Sequence, residues 1–222
     1  MTKPIFFLFI VLIALFVLFP SIDIEFSSFF FDESRGGFYL GEYSIIKFFY
    51  KFVIIVIKLF TVGIILLLLI SLIFKKKFLN LTKKKLIYLL LVLALGPIAI
   101  VNLVFKDNLG RARPRHIVEF KGDKKFTPAF VKTNQCDTNC SFVCGHASAG
   151  FYFFALIPLV RYRRSMAWFA LGFGSFIGLI RVVQGGHFLS DVIFSGFFVY
   201  FSYKIVYYFM FEKYYGEKKA IF

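Results

Sequence analysis

Apolar residues gather in six runs along the chain, separated by short clusters of Lys, Arg, Gly and Pro. A helix crossing the roughly 30 Å hydrocarbon core needs about 20 mainly apolar residues, and each of these runs meets or approaches that length. The pattern predicts spans over residues 5–19, 52–74, 86–105, 147–160, 166–180 and 188–211. Pro20 ends the first, which has the shortness of a signal peptide; lacking a small-x-small cleavage site, it is expected to stay as an anchor. The second is approached from Ile45 by an amphipathic stretch carrying Lys47 and Lys51, and its Lys58 sits near enough to an end to snorkel. Gly96-Pro97 is expected to break the third, and Gly172, Gly174 and Gly178 in the fifth permit close helix contact.

Composition makes lipid the solvent for much of this surface. Of 222 residues, 59% are apolar or aromatic and 18% charged, with 35 Phe and a mean hydropathy of +0.79. A soluble sphere of this size cannot hide so much apolar side chain. A soluble enzyme, a disordered chain and a small disulfide scaffold are thereby excluded. The expected fold is an all-α integral membrane protein of six transmembrane helices, forming one domain over residues 1–222, with a long exoplasmic loop between spans three and four.

The net charge of +15 would suggest nucleic acid on a soluble protein, but no polar domain is present to carry it. Lys and Arg instead mark the cytoplasmic loops. Six lysines (Lys75, Lys76, Lys77, Lys83, Lys84, Lys85) lie between spans two and three. Arg161, Arg163 and Arg164 follow span four, and Lys213, Lys218 and Lys219 follow span six. Both termini are therefore expected in the cytoplasm. Residues 106–143 then face outward despite eight basic residues, a charge that topology does not require there.

All three histidines fall at that outer side. Lys106 and Arg113-Pro114 follow span three; a lysine point charge and a planar arginine fork both suit phosphate oxygens. Cys144-Gly145-His146 opens span four, where a glycine lets backbone N–H groups approach an anion and a histidine can deliver a proton to a leaving oxygen. Arg181 ends span five. His187 and Asp191, four residues apart, share a face at the start of span six, so a carboxylate can fix one imidazole nitrogen and leave the other to attack.

In this order the residues resemble the type 2 phosphatidic acid phosphatase family, whose motifs read K-x6-R-P, P-S-G-H and S-R-x5-H-x3-D. Lys106 to Pro114 matches the first in full, Gly145-His146 half of the second, and Arg181, His187 and Asp191 all of the third but its serine. The resemblance implies an enzyme in which His187 is the nucleophile, forming a phosphohistidine. Asp191 would orient it, and His146 would protonate the leaving alcohol. Lys106, Arg113 and Arg181 would bind phosphoryl oxygens with the Gly145 N–H. It implies no metal and no cofactor, since cationic side chains stabilise the charge.

Cys144 stands where the family has serine and is a weaker hydrogen-bond donor, although its backbone N–H could still serve the phosphate. The run from Cys136 to His146 resembles the branch containing bacterial lipid A phosphatases, the 4′-phosphatase in particular. That branch implies an inner-membrane enzyme with its site facing the periplasm, acting on the 4′-phosphate of lipid A. Undecaprenyl diphosphate, phosphatidylglycerophosphate and phosphatidic acid are the alternative substrates, and a lipid-binding or transport protein is the non-enzymatic alternative. In an oxidising periplasm a Cys136–Cys140 disulfide would brace the loop and leave Cys144 a thiol; the alternative, zinc on the cysteines and His146, fits no common spacing. Arg111, Arg115 and His116 are candidates for headgroup contact. With Lys121, Lys124, Lys125 and Lys132, the two arginines could form a mouth attracting anionic lipid.

Overall fold

A computed structural model describes residues 3–74, 81–106 and 108–213. Lys75, Lys76, Lys77, Lys218 and Lys219 of the topology signal lie outside the described residues. Among the described residues seven α-helices, α1 Lys3–Leu18, α2 Ser21–Ser28, α3 Ser44–Ile73, α4 Lys83–Leu93, α5 Gly145–Phe151, α6 Arg163–Val183 and α7 Leu189–Tyr207, account for the regular structure, together with 3₁₀ and π segments. Among the described residues only two isolated β-bridges occur.

Among the described residues four helical segments are long and apolar enough to cross a membrane, five if the bent α1–α2 pair counts as one. Phe7, Leu18, Leu59, Ile73, Trp168 and Phe169 are among the apolar side chains left exposed on α1, α3 and α6. Of the long segments α7 is the most buried and α3 the least. Phe9 and Phe16 of α1 pack edge-on against Phe194 of α7, and Phe6 meets Phe201, so the two helices run antiparallel. Tyr88 of α4 likewise meets Tyr207 near the far end of α7. The Lys3 end of α1 and the Lys213 end of the chain's last described segment thus share one end of the bundle.

Two boundaries differ from the pattern-based expectation. The third apolar run is not broken at Gly96-Pro97: helix continues from α4 as a π segment, Ala94–Lys106. Proline removes one N–H and clashes one turn back, and the wider π turn absorbs both effects. Asn102 Nδ2 donates to the Pro97 carbonyl at 2.6 Å. The stretch after Pro20 is also not plain loop, because α2 turns away from α1 by 83° and brings Asp23 inward.

The α6 glycines act unequally. A Cβ on Gly174 would lie 2.2 Å from the Phe151 ring, and one on Gly178 would lie 2.1 Å from Val192. These two glycines set the approach of α5 and α7 to α6, whereas Gly172 faces open space. An almost wholly apolar groove of about 560 Å³ runs between α1, α2, α6 and α7, lined by Leu8, Phe26, Trp168, Leu189 and Tyr200 among others.

Candidate active site

Four element ends meet at the pole opposite Lys3: the end of the π segment (Lys106), the start of α5, the end of α6 and the start of α7. The long loop folds over them through 3₁₀ turns at Pro114–His116 and Val118–Phe120. Ser141 N donates to the Arg111 carbonyl and Thr133 N to that of Leu109, which docks the far half of the loop on its near half. Cys136 and Cys140 are joined by a disulfide, and Cys144 is a buried thiol, so the three sulfurs do not form a zinc set.

His187 lies in the turn between α6 and α7 with 1% of its surface exposed. Its Nδ1 is 2.7 Å from the Ser141 carbonyl and 3.5 Å from Asp191 Oδ2. The shorter contact makes Ser141 the hydrogen-bond acceptor in this state, with Asp191 behind it. Asp191 Oδ2 accepts from Ser141 Oγ at 2.5 Å and from the Phe188 N–H at 2.8 Å, so one carboxylate caps α7 and backs the imidazole. Burial, with Arg181 and Arg113 acting the same way against Asp191, pushes His187 down to about 3. The ring is therefore neutral at physiological pH.

Arg113 is buried, and the Asn139 carbonyl accepts from its Nε at 3.1 Å and its Nη2 at 2.6 Å. Burial first, then repulsion by Arg181 and Arg115, lowers it to about 10. Arg181, also buried, donates from Nη1 to Gln184 Oε1, and its Nε has no hydrogen-bond partner within the protein. A Cβ at Gly186 would fall 2.4 Å from Arg181 Nη2, so this position needs glycine to admit the guanidinium. Two buried guanidiniums repel each other here, one with an unsatisfied donor, an arrangement chemically suited to a dianion. Lys106 Nζ lies 3.6 Å from where a Gly145 Cβ would stand, bringing those two residues together at the start of α5.

His146, in the first turn of α5, stacks on Tyr50 of α3 with ring centroids 4.4 Å apart. Arg181 lies over the same tyrosine ring at 4.7 Å. Tyr50 was not visible as a site residue in the sequence; its only signal is its place on the amphipathic approach to the second apolar run.

Two expectations need correction. Arg111 is not a headgroup contact: it is 1% exposed, donates to Asp191 Oδ1 at 2.6 Å and to Asp23 Oδ2 at 2.8 Å, and lies 4.2 Å over the Phe188 ring. The Cys144 backbone N–H is not available to a phosphate, because it donates to the Asp191 carbonyl at 3.1 Å. Its sulfur caps α5 by accepting from Ala147 N at 3.4 Å. Asp23 also belongs to this constellation, although nothing in its local sequence sets it apart. Arg115 and His116 are exposed in the loop, where Arg115 Nε donates to His116 Nε2 at 3.3 Å.

Comparison with known proteins shows the family. The PAP2 superfamily profile matches residues 85–215, which hold every motif residue named above. The chain is 43% identical over 201 residues to a lipid A 4′-phosphatase of Francisella tularensis subsp. novicida (strain U112), covering 89% of this chain and 90% of that protein. It is 34% identical over 103 residues to a lipid A 4′-phosphatase of Rhizobium leguminosarum, covering 46% of this chain and 44% of that one. A lipid A 4′-phosphatase of Rhizobium etli is 32% identical over 102 residues, with 45% and 40% covered. No solved structure gives a significant match. With its three motif segments gathered at one pole of a helical bundle and a relative aligned over nearly its whole length, this chain belongs to the PAP2 superfamily, the type 2 phosphatidic acid phosphatases.

Proposed function

We propose that this protein hydrolyses the 4′-phosphate monoester of lipid A at the periplasmic face of the bacterial inner membrane, through a phosphohistidine on His187. The observation that carries the reading is the pair of buried guanidiniums, Arg113 and Arg181, beside a neutral imidazole whose Nδ1 is already anchored. With Nδ1 held, Nε2 attacks phosphorus in line with the departing ester oxygen. The two arginines, with Lys106 and the Gly145 N–H, bind the non-bridging oxygens as charge spreads over them. His146, protonated as the phosphate dianion binds, gives its proton to the departing sugar oxygen, then takes one from the water that attacks the phosphohistidine. No divalent metal is needed in this sequence of steps.

The lipid nature of the substrate is supported by the place of the site at one end of a helical bundle whose flanks are apolar. The relatives named lipid A 4′-phosphatases favour that lipid over other phosphorylated lipids. Six crossings are supported by rise per residue. The helix α1 is about 24 Å long, and the 15 residues Gly145–Leu159 reach about 26 Å because the second half winds as a 3₁₀ helix. Lys3, the Arg161–Arg164 cluster and the Lys213 end then share the cytoplasmic side, with the site opposite. The involvement of Asp23 in the site supports treating residues 1–222 as one phosphatase domain.

Mass spectrometry of lipid A from cells with and without the protein tests this reading. Loss of one phosphate at the 4′ position is expected with the active chain and not with His187→Ala. Unchanged lipid A, alongside phosphate release from a polyprenyl diphosphate, would overturn the substrate assignment.

A further inference from the structure

Behind His187 lie three buried charges that the reaction steps above do not use in full. Asp191 Oδ1 accepts from Arg111 Nη1 at 2.6 Å, and Asp23 Oδ2 accepts from Arg111 Nη2 at 2.8 Å. Asp23 and Asp191 have no exposed surface, and Arg111 only 1%. Ser190 ties the group together: its N–H donates to Asp23 Oδ1 at 2.9 Å, its hydroxyl to Asp23 Oδ2 at 2.5 Å, and its oxygen accepts from Arg111 Nη1 at 2.9 Å. Burial raises the pKa of Asp23, but Arg111 Nη2 on Oδ2 and the Ser190 N–H on Oδ1 act against it, and both donors favour the ionised carboxylate. Asp191 accepts at both oxygens, from Arg111, Ser141 and Phe188.

The charges sum to one net negative. Arg111 alone would cancel Asp191 and leave nothing for the histidine. When Nε2 bonds phosphorus, the ester P–O bond breaks and its electron pair leaves with the sugar oxygen, which takes the His146 proton. Nδ1 keeps its own proton, so the His187 ring becomes a cation. When water attacks phosphorus, His146 takes a water proton and the N–P electron pair returns to Nε2. A cation formed in a buried, low-dielectric place needs a compensating charge nearby. We propose that Asp23 is a positioning residue that restores a single net negative charge behind His187, so that the phosphoimidazolium is stabilised through Arg111 and Asp191. This inference rests on the phosphohistidine reading.

The test compares full-length wild-type protein in detergent with Asp23→Asn, Arg111→Gln and the double variant Asp23→Asn/Arg111→Gln. The net buried charge is then −1, 0, −2 and −1 respectively. Steady-state kinetics on lipid A, phosphohistidine trapped by alkaline quench, and orthovanadate binding are measured for each. Asp23→Asn is expected to lower kcat and trapped intermediate by about tenfold or more while KM and vanadate affinity change little. The double variant is expected to recover most of the lost kcat, which a contact-only role does not allow. If Asp23→Asn alone fails to bind vanadate, the double variant decides against wild type: kcat within about tenfold supports the proposal. A double variant no faster than the slower single variant, or one that cannot bind vanadate, overturns it. Unchanged kcat in Asp23→Asn, with phosphohistidine trapped, overturns the proposal alone. Wild-type enzyme that traps no phosphohistidine overturns the reading beneath it.

Discussion

The ring of Tyr50 lies 4.4 Å from that of His146 and 19° from parallel, while the Arg181 guanidinium stands 4.7 Å from the same tyrosine. One side chain from α3 thus sets the position of two groups from α5 and α6. Replacing Tyr50 with Ala frees both, and a displacement of about 1 Å at a reacting centre can cost about a hundredfold. Tyr50→Ala is expected to lower kcat/KM by tenfold to about a hundredfold, and Tyr50→Phe, which keeps the ring, by less than about threefold. Equal losses in the two variants would assign the effect to the hydroxyl instead.

Arg113 depends on a loop outside its own motif. Its two nitrogens share the Asn139 carbonyl, and Asn139 lies in the five-residue loop closed by the Cys136–Cys140 disulfide. Opening that loop loosens the carbonyl and with it the guanidinium fork. The Cys136→Ser/Cys140→Ser variant is expected to raise KM and weaken vanadate inhibition by about three- to tenfold, with kcat less affected. Arg113→Lys should show a larger KM effect, because an ammonium cannot reproduce the fork. An unchanged KM in the cysteine variant would detach the disulfide from phosphate binding.

The motif residues were legible because all but Arg113 end or begin an apolar run, where a charge is conspicuous. Lys106, His146, Arg181, His187 and Asp191 all have that setting, Arg113 follows Lys106 in the loop, and chain order alone brings them to one side. Depth was not legible. Arg111 and Arg113 are two residues apart in the same basic stretch, yet one is locked between carboxylates and the other is set against Arg181. Asp23 could not be told from the four other acidic residues between Ser21 and Ser44, since its partners are 88 and 167 positions away. The bend after Pro20 that carries it inward is a tertiary outcome that apolar periodicity does not record.

Cys144 caps α5 with a sulfur, a weaker acceptor than a hydroxyl, at 3.4 Å from Ala147 N. Burial pushes the thiol up to about 11, so it stays protonated at physiological pH. Maleimide is expected to label it only after unfolding. Cys144→Ser should stabilise the protein by up to about 1 kcal/mol through a better cap, and Cys144→Val should destabilise it by a similar amount. Thermal unfolding in detergent ranks the three proteins, and a destabilised serine variant would refute the capping account.

In the proposed steps, charge on the phosphoryl group is met by Lys106, Arg113 and Arg181. Hydrolysis is therefore expected to proceed at full rate after dialysis against excess EDTA. Phosphate release from lipid A by the dialysed protein checks this. A loss restored by a divalent ion would require a metal in the mechanism.

His187 also makes stability depend on pH in a defined direction. Its ordinary value of 6.5 in the unfolded chain falls to about 3 in the folded protein, chiefly by burial. Between those values the unfolded chain holds a proton that the folded one does not, so unfolding takes up a proton and becomes easier as pH falls. Above about pH 7 both states are neutral and the group contributes no slope. Within the window one such group contributes up to about 1.4 kcal/mol per pH unit. The melting temperature of wild-type protein in detergent should therefore fall more steeply from about pH 6.5 toward pH 4 than that of His187→Asn, the two curves running parallel above pH 7. Parallel curves through the acid range as well would mean that His187 takes up its proton while still folded, and the neutral nucleophile would then lose its basis.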